Sequence, residues 1–379
     1  MEGAETLPDL PGAEMKIRPR TLRALLLMLT MFGMVLAFPA QKEKKWIPTK
    51  VPASASFAGT QACGECHASK VKTHSATMMG QALETVETST ILKNNPHLKF
   101  QSGPFLIEIL REGDKSIYKV SRGSESVSVP ILYSFGQGHA GQTYVLRYKG
   151  ALHESRVSFY NDINGLDYTI GASRSPSTTI DEAVGRPTPH DESVQCFACH
   201  SSGAAVAGKL NLDTVVPGVG CEICHGPGKE HIRLGKAGEA NEEKIFNPGK
   251  LSADDLSQEF CASCHRGVED VFGLPNSGGL NNVRFQPYRI FNAKCYSDDK
   301  RISCVACHDP HVPMSREPKF YDSKCAACHT STEAGAKLCK VSKTDCVTCH
   351  MPKTEIPGAH YKFADHRIRV VRPGEKYPF

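Results

Sequence analysis

One five-residue pattern, Cys-x-x-Cys-His, occurs seven times and constrains this chain more than any other feature. The copies are Cys63-Cys66-His67, Cys196-Cys199-His200, Cys221-Cys224-His225, Cys261-Cys264-His265, Cys304-Cys307-His308, Cys325-Cys328-His329 and Cys346-Cys349-His350. At this composition roughly 0.03 copies are expected by chance. Two thiols so spaced, with a histidine directly after the second, form the attachment pattern of c-type haem: the sulfurs add across the vinyl groups and the imidazole binds the iron. Zinc knuckles and disulfide scaffolds also use paired cysteines, but neither needs that histidine every time. The expectation is seven covalently bound haems c, with His67, His200, His225, His265, His308, His329 and His350 as proximal ligands.

Such haems are attached outside the cytoplasm, so an export signal is expected. Lys16, Arg18, Arg20 and Arg23 form a basic region, Ala24 to Phe38 an apolar run, and Val35-Leu36-Ala37 a small-residue cleavage site. The run is short for a membrane span, which favours a cleaved signal and no span after its removal. The acidic leader before Met15 does not fit an export signal, which makes Met15 a more sensible start. The expected location is periplasmic or otherwise exported.

The formal net charge of +5 changes once haems are counted. Two propionates per haem, partly offset by ferric iron, bring the total to about −2 oxidised and about −9 reduced. Nothing argues for nucleic-acid binding. The lysines are read as offsetting propionates or docking a redox partner.

Six motifs share residues 196–379, about thirty residues per haem, too few for a conventional apolar core around each. The porphyrins themselves are expected to act as core, wrapped by short helices and loops. From Leu98 to Ile170 the pattern changes to strand-like alternation: Phe105–Leu110, Ser116–Val120, Ser126–Val129, Thr143–Tyr148 and Glu154–Tyr160, punctuated by Gly, Asn and Asp. This reads as an antiparallel insertion acting as spacer or docking surface. The fold class is therefore α+β: haem-organised short helices and loops with an inserted antiparallel β domain. The expected division is signal peptide 1–37, linker 38–56, first haem segment 57–95, β-rich insertion 96–175 and six-haem domain 176–379. Proline after His225 and His308 turns the chain away from each haem, and Ser173 to Val194 reads as a polar link.

A carrier closes the second axial position of each iron with His or Met, whereas an enzyme leaves one open. Nine histidines lie outside the motifs, enough to close every haem. A histidine a few residues beyond a proximal ligand cannot readily reach round its own porphyrin, so His231 and His311 are candidates for neighbouring haems. His190, His360 and His366 are further candidates, and so is His139, flanked by Gly138 and Gly141. His97 and His153 read as surface or strand residues. His74 lies on nearly the same helix face as His67, so it is poorly placed for that haem. Met79, followed by Gly80, is the candidate cap of the first haem and would raise its potential; the alternative is ordinary apolar packing of Met78 and Met79. The two remaining cysteines, Cys295 and Cys339, are expected to form a disulfide.

Gly218-Val-Gly-Cys-Glu-Ile-Cys-His-Gly-Pro-Gly228 with His231, Ser303-Cys-Val-Ala-Cys-His-Asp-Pro-His311, and Cys346-Val-Thr-Cys-His-Met-Pro-Lys353 followed by Asp365-His366-Arg367 resemble multihaem c-type cytochromes of the cytochrome c554 and doubled-CxxCH kind. The resemblance implies mostly bis-histidine haems and periplasmic electron transfer, and it supports His231, His311 and His366 as distal ligands. Thr77-Met78-Met79-Gly80 departs from it, standing where such proteins often carry a distal histidine.

The function expected is electron transfer along seven haems between a donor and an acceptor protein. A multihaem oxidoreductase acting on a small nitrogen or sulfur compound at one open haem is the alternative, and a subunit of a larger or filamentous conductive assembly is a third reading. The sequence names neither redox partner nor oligomeric state.

Overall fold

The computed structural model describes residues 46–239, 244–273, 277–296, 300–329, 339–372 and 374–377. The expected signal peptide lies outside them, as do residues 38–45 of the first linker. Strand-favouring residues at alternate positions build the largest element, an antiparallel sheet. In chain order its strands are β1 (Leu83–Thr85), β2 (His97–Ser102), β3 (Phe105–Glu112), β4 (Lys115–Arg122), β5 (Glu125–Phe135), β6 (Gln142–Tyr148), β7 (Ala151–Tyr160), β8 (Gly165–Tyr168) and β9 (Gly185–Pro187). Strands β2 to β8 follow one another as a meander, while β1 adds to β5 and β9 to β7. Alternation sets the register: Phe105, Ile107 and Ile109 of β3 and Tyr118 and Val120 of β4 point inward and are fully buried. At the β6–β7 hairpin Lys149 and Gly150 both have positive φ, 47° and 81°, as a two-residue turn that follows strand twist requires.

Register shifts in β5 and β6 curve the sheet. Its ends meet without a ladder: the Ser102 and Tyr168 hydroxyls are 3.0 Å apart, and Phe100 meets Tyr168 edge-on. The apolar core inside extends from Val86 to Val184.

All five expected strands are present, and the sheet reaches beyond the stretch that alternates. The three-residue strands β1 and β9 come from either side of it. Ser173 to Val194 is also more than a link. It contains α3 (Ile180–Val184), whose Ile180, Ala183 and Val184 enter the sheet core, then β9 and the start of the next helix.

The other helices are mostly short. They are α1 (Thr60–His74), α2 (Thr90–Asn94), α4 (His190–His200), α5 (Cys221–His225), α6 (Lys229–Lys236), α7 (Ala262–His265), α8 (Val268–Gly273), α9 (Gln286–Phe291), α10 (Asp322–His329) and α11 (Cys346–His350). Their apolar clusters are small: Val51, Val219 and Ile223 form one, and Val283, Ile356 and Ala359 another. A seam joins the two regions. Phe197 of α4 packs edge-on between Tyr133 and Phe135 of β5, at centroid distances of 5.3 and 5.2 Å. Among the described residues no helix is long and apolar enough to cross a membrane.

Candidate haem-ligand centres

Every motif sits on a helical turn, which puts the two cysteines, three residues apart, on one face beside the histidine. Helices α4, α5, α7, α10 and α11 each end on their motif histidine, while α1 kinks at His67 (φ −112°, ψ 40°). Cys304 to Ala306 form a 3-10 turn before Cys307 and His308.

Three pairs of imidazoles face each other across a gap. His67 and His231 have ring centres 6.5 Å apart and planes 13° from parallel. His225 and His311 are 6.0 Å and 20° apart, and His308 and His366 are 6.2 Å and 40° apart. Two imidazoles bonded at about 2.0 Å to opposite sides of one metal ion have centres roughly 6.3 Å apart. The donor set thus fits an iron between each pair.

The outer nitrogens fit as well. His225 Nδ1–H donates to Phe246 O at 3.1 Å, His366 Nδ1–H to Ala364 O at 3.0 Å, and His350 Nδ1–H to Arg369 O at 2.9 Å. His311 Nδ1 lies 3.0 Å from Asp309 Oδ1, and His200 Nδ1–H donates to Ala82 O at 3.1 Å. Such bonds orient an imidazole ligand and leave Nε2 for metal. His231 Nδ1 is buried without a hydrogen-bond partner, and a metal would satisfy a nitrogen of that ring. Burial lowers the pKa values of His200, His225, His265 and His308 and takes His366 down to about 4, so these rings stay neutral, as a ligand must be.

Sulfur atoms of different motifs also meet. Cys63 and Cys221 lie close enough to perturb each other's thiols, lowering that of Cys221 to about 6 and raising that of Cys63. Cys199 pairs with Cys264, and Cys261 with Cys304, the latter contact lowering Cys304 to about 7. Cys325 lies close to Cys346. Cys224 is in electrostatic range of Cys261 and Cys264, and Cys307 of Cys325. The attachment points are therefore near neighbours in space.

Other expectations need correction. His360 Nε2 is 2.7 Å from Asp167 Oδ2 and the ring packs on Tyr160, so that nitrogen is taken by a carboxylate. Met79 packs with Val51, Val219 and Ile223, and its carbonyl accepts from Val219 N–H; His231, not a thioether, faces His67. His190 is exposed at the start of α4. His139 is half-buried, with its ring 6.5 Å from Tyr361 and with Asn161 Nδ2–H donating to Nδ1. Neither is brought to a motif histidine by these contacts. Cys295 and Cys339 are both free, not joined: Cys295 lies near Cys325 and Cys328, whereas exposed Cys339 bonds backbone N–H groups and His350.

His74 is half-buried near His311 and His225, away from a facing position on His67. His97 Nε2 contacts Glu108 on the sheet surface, and His153 lies in β7.

Two groups had no sequence signal. Glu222, between the cysteines of the third motif, is buried. Its Oε1 accepts from Ala58 N–H and Gly228 N–H, and its Oε2 from Gly59 N–H, each at 2.7 Å. Arg289 and Asp365 form a buried bidentate pair, Nε to Oδ1 at 2.8 Å and Nη2 to Oδ2 at 2.9 Å. Arg369 Nη1 joins them on Asp365 Oδ2 at 2.7 Å. Asp365 precedes His366, while the Arg369 backbone bonds His350, so one network braces two candidate ligands.

The family profile described as "Cytochrome c554 and c-prime" matches residues 153–226. Cytochrome c-554 of Nitrosomonas europaea is 28% identical over 166 residues, covering 39% of this chain and 65% of that protein. The crystal structure of outer cell wall cytochrome OcwA aligns with a TM-score of 0.47 and 17% identity, over 83% of this chain and 80% of that one. The seven motifs and the two sequence matches together support a multihaem c-type cytochrome.

Proposed function

We propose that the chain is an exported electron-transfer protein carrying seven haems c between a redox donor and a redox acceptor. The observation that carries this reading is the set of facing imidazole pairs, His67 with His231, His225 with His311 and His308 with His366, at the spacing of two axial ligands. Haem supplies the iron that changes oxidation state. The chain's residues do the rest. Paired imidazoles keep coordination the same in both oxidation states, which lowers reorganisation, and they keep small molecules off the metal.

The proximity of the motif sulfurs supports an order for this reading. They run from the Cys63 motif to the Cys221 motif, then to those of Cys261, Cys304, Cys325 and Cys346, with the Cys196 motif as a side branch at Cys264. Residues 1–37 act as the export signal. The sheet serves as a spacer or docking surface.

Intact-mass measurement and low-temperature EPR of the oxidised protein test this together. Seven additions of about 616 Da and low-spin ferric signals are expected. A missing haem mass removes a motif; a high-spin ferric fraction favours the oxidoreductase.

A further inference from the structure

Three backbone N–H groups converge on the buried carboxylate of Glu222. Gly59 is the N-cap of α1, which carries Cys63, Cys66 and His67, and Ala58 precedes it. Gly228 is the N-cap of α6, which carries His231. One side chain thus joins the starts of the two helices whose imidazoles face each other 6.5 Å apart. Its charge suits the place, because both helix dipoles present their positive ends to it.

The surroundings hold it rigidly. Glu222 lies within α5, and Trp46 Nε1–H donates to Ile223 O at 2.7 Å. Gly226, at φ +72°, turns the chain from α5 towards α6 at a point where a Cβ would meet the Trp46 indole at 3.5 Å. The carboxylate touches neither imidazole, so any action on them passes through the helices.

We propose that Glu222, inside the third Cys-x-x-Cys-His motif, is a positioning residue for the first haem: it sets the separation and near-parallel planes of His67 and His231. This rests on the reading of those two histidines as one axial pair. Glu222 thereby ties attachment of one haem to ligation of another, since a displacement of α5 is passed to both helices at once.

The test uses the haem-loaded full chain. His231→Met first identifies the low-spin signal that belongs to this pair. Glu222→Gln replaces an accepting oxygen with an N–H donor facing N–H groups. It is expected to leave the haem count at seven, to shift or remove that same signal alone, and to raise the affinity of one haem for added imidazole about 10-fold. Glu222→Asp keeps the charge on a shorter arm and should move the signal less; if the glutamine variant does not mature, this variant decides by the same readout. Trp46→Phe removes the neighbouring bond to Ile223 but keeps the carboxylate and its three N–H donors, so it should lower thermal stability while moving the signal less than Glu222→Gln does. A Glu222 variant that leaves the signal identified by His231→Met unchanged overturns the inference. If His231→Met changes no signal, the axial-pair reading fails with it.

Discussion

The sheet and the haem-bearing half solve the problem of a core in different ways. Residues around β2 to β8 bury Phe105, Ile107, Ile109, Tyr118, Val120, Tyr144, Leu146 and Val157 against one another, and that apolar interior is complete in itself. From Cys221 onward the buried clusters are small, and the facing imidazoles have ring centres 6.0 to 6.2 Å apart. The first region is organised by hydrophobic burial; on the proposed reading the second is organised by its haem ligands.

The largest expected effect follows from that contrast. Cleaving the thioethers and extracting the haems should abolish protected structure in residues 221–371 while β3 to β7 keep theirs. Hydrogen exchange read by mass spectrometry should show amides of the haem half accelerated by about 1000-fold or more, with little change in the sheet. Equal loss in both regions would break the comparison.

Next is the buried charge network. Asp365→Asn leaves Arg289 in a buried site without its bidentate carboxylate, and breaking such a pair costs about 4 kcal/mol. Because Asp365 abuts His366, denaturant unfolding should weaken and the low-spin signal of the His308–His366 pair should move together. A stability loss with every haem signal unmoved would make the network purely structural.

Ile107→Ala is the counterpart in the sheet. The side chain is fully buried, and the cavity should cost about 3 kcal/mol, with no change in any haem signal. If this variant alters ligation, the two regions are less independent than their cores imply.

How much was legible follows the same division. The motifs and five main strands could be read because each is a local pattern, either fixed spacing or alternation. The juxtaposition of His231 and His311 with motif histidines was also visible, since both follow a proximal ligand too closely to serve it. The surroundings of His360 and Met79 are not legible because their neighbours are remote in sequence: Asp167 lies 193 residues from His360, and Val219 and Ile223 lie far from Met79. Strands β1 and β9 are too short for alternation to register. Glu222 occupies a motif position that accepts any residue, so only the converging backbone N–H groups mark it.

The smallest effect concerns a second contact across the seam between the two regions. Asp167 of β8 is largely buried, and its Oδ2 accepts from Arg174 Nη2–H at 2.8 Å and meets Nε2 of His360, from the C-terminal tail, at 2.7 Å. Burial alone would raise this carboxyl; the bonds from Arg174 and His360 outweigh it and hold the group below its ordinary value. A depressed carboxyl contributes stability that is present above the unfolded value, near pH 4, and lost as pH falls towards the lower folded value. Wild-type stability should therefore decline below about pH 4. Asp167→Asn should cost roughly 1 kcal/mol at neutral pH and flatten that acid limb. Because the contact spans the seam, the variant should also separate the unfolding of sheet and haem half in a calorimetric scan. An acid limb as steep as that of the wild type would show that another carboxylate governs it.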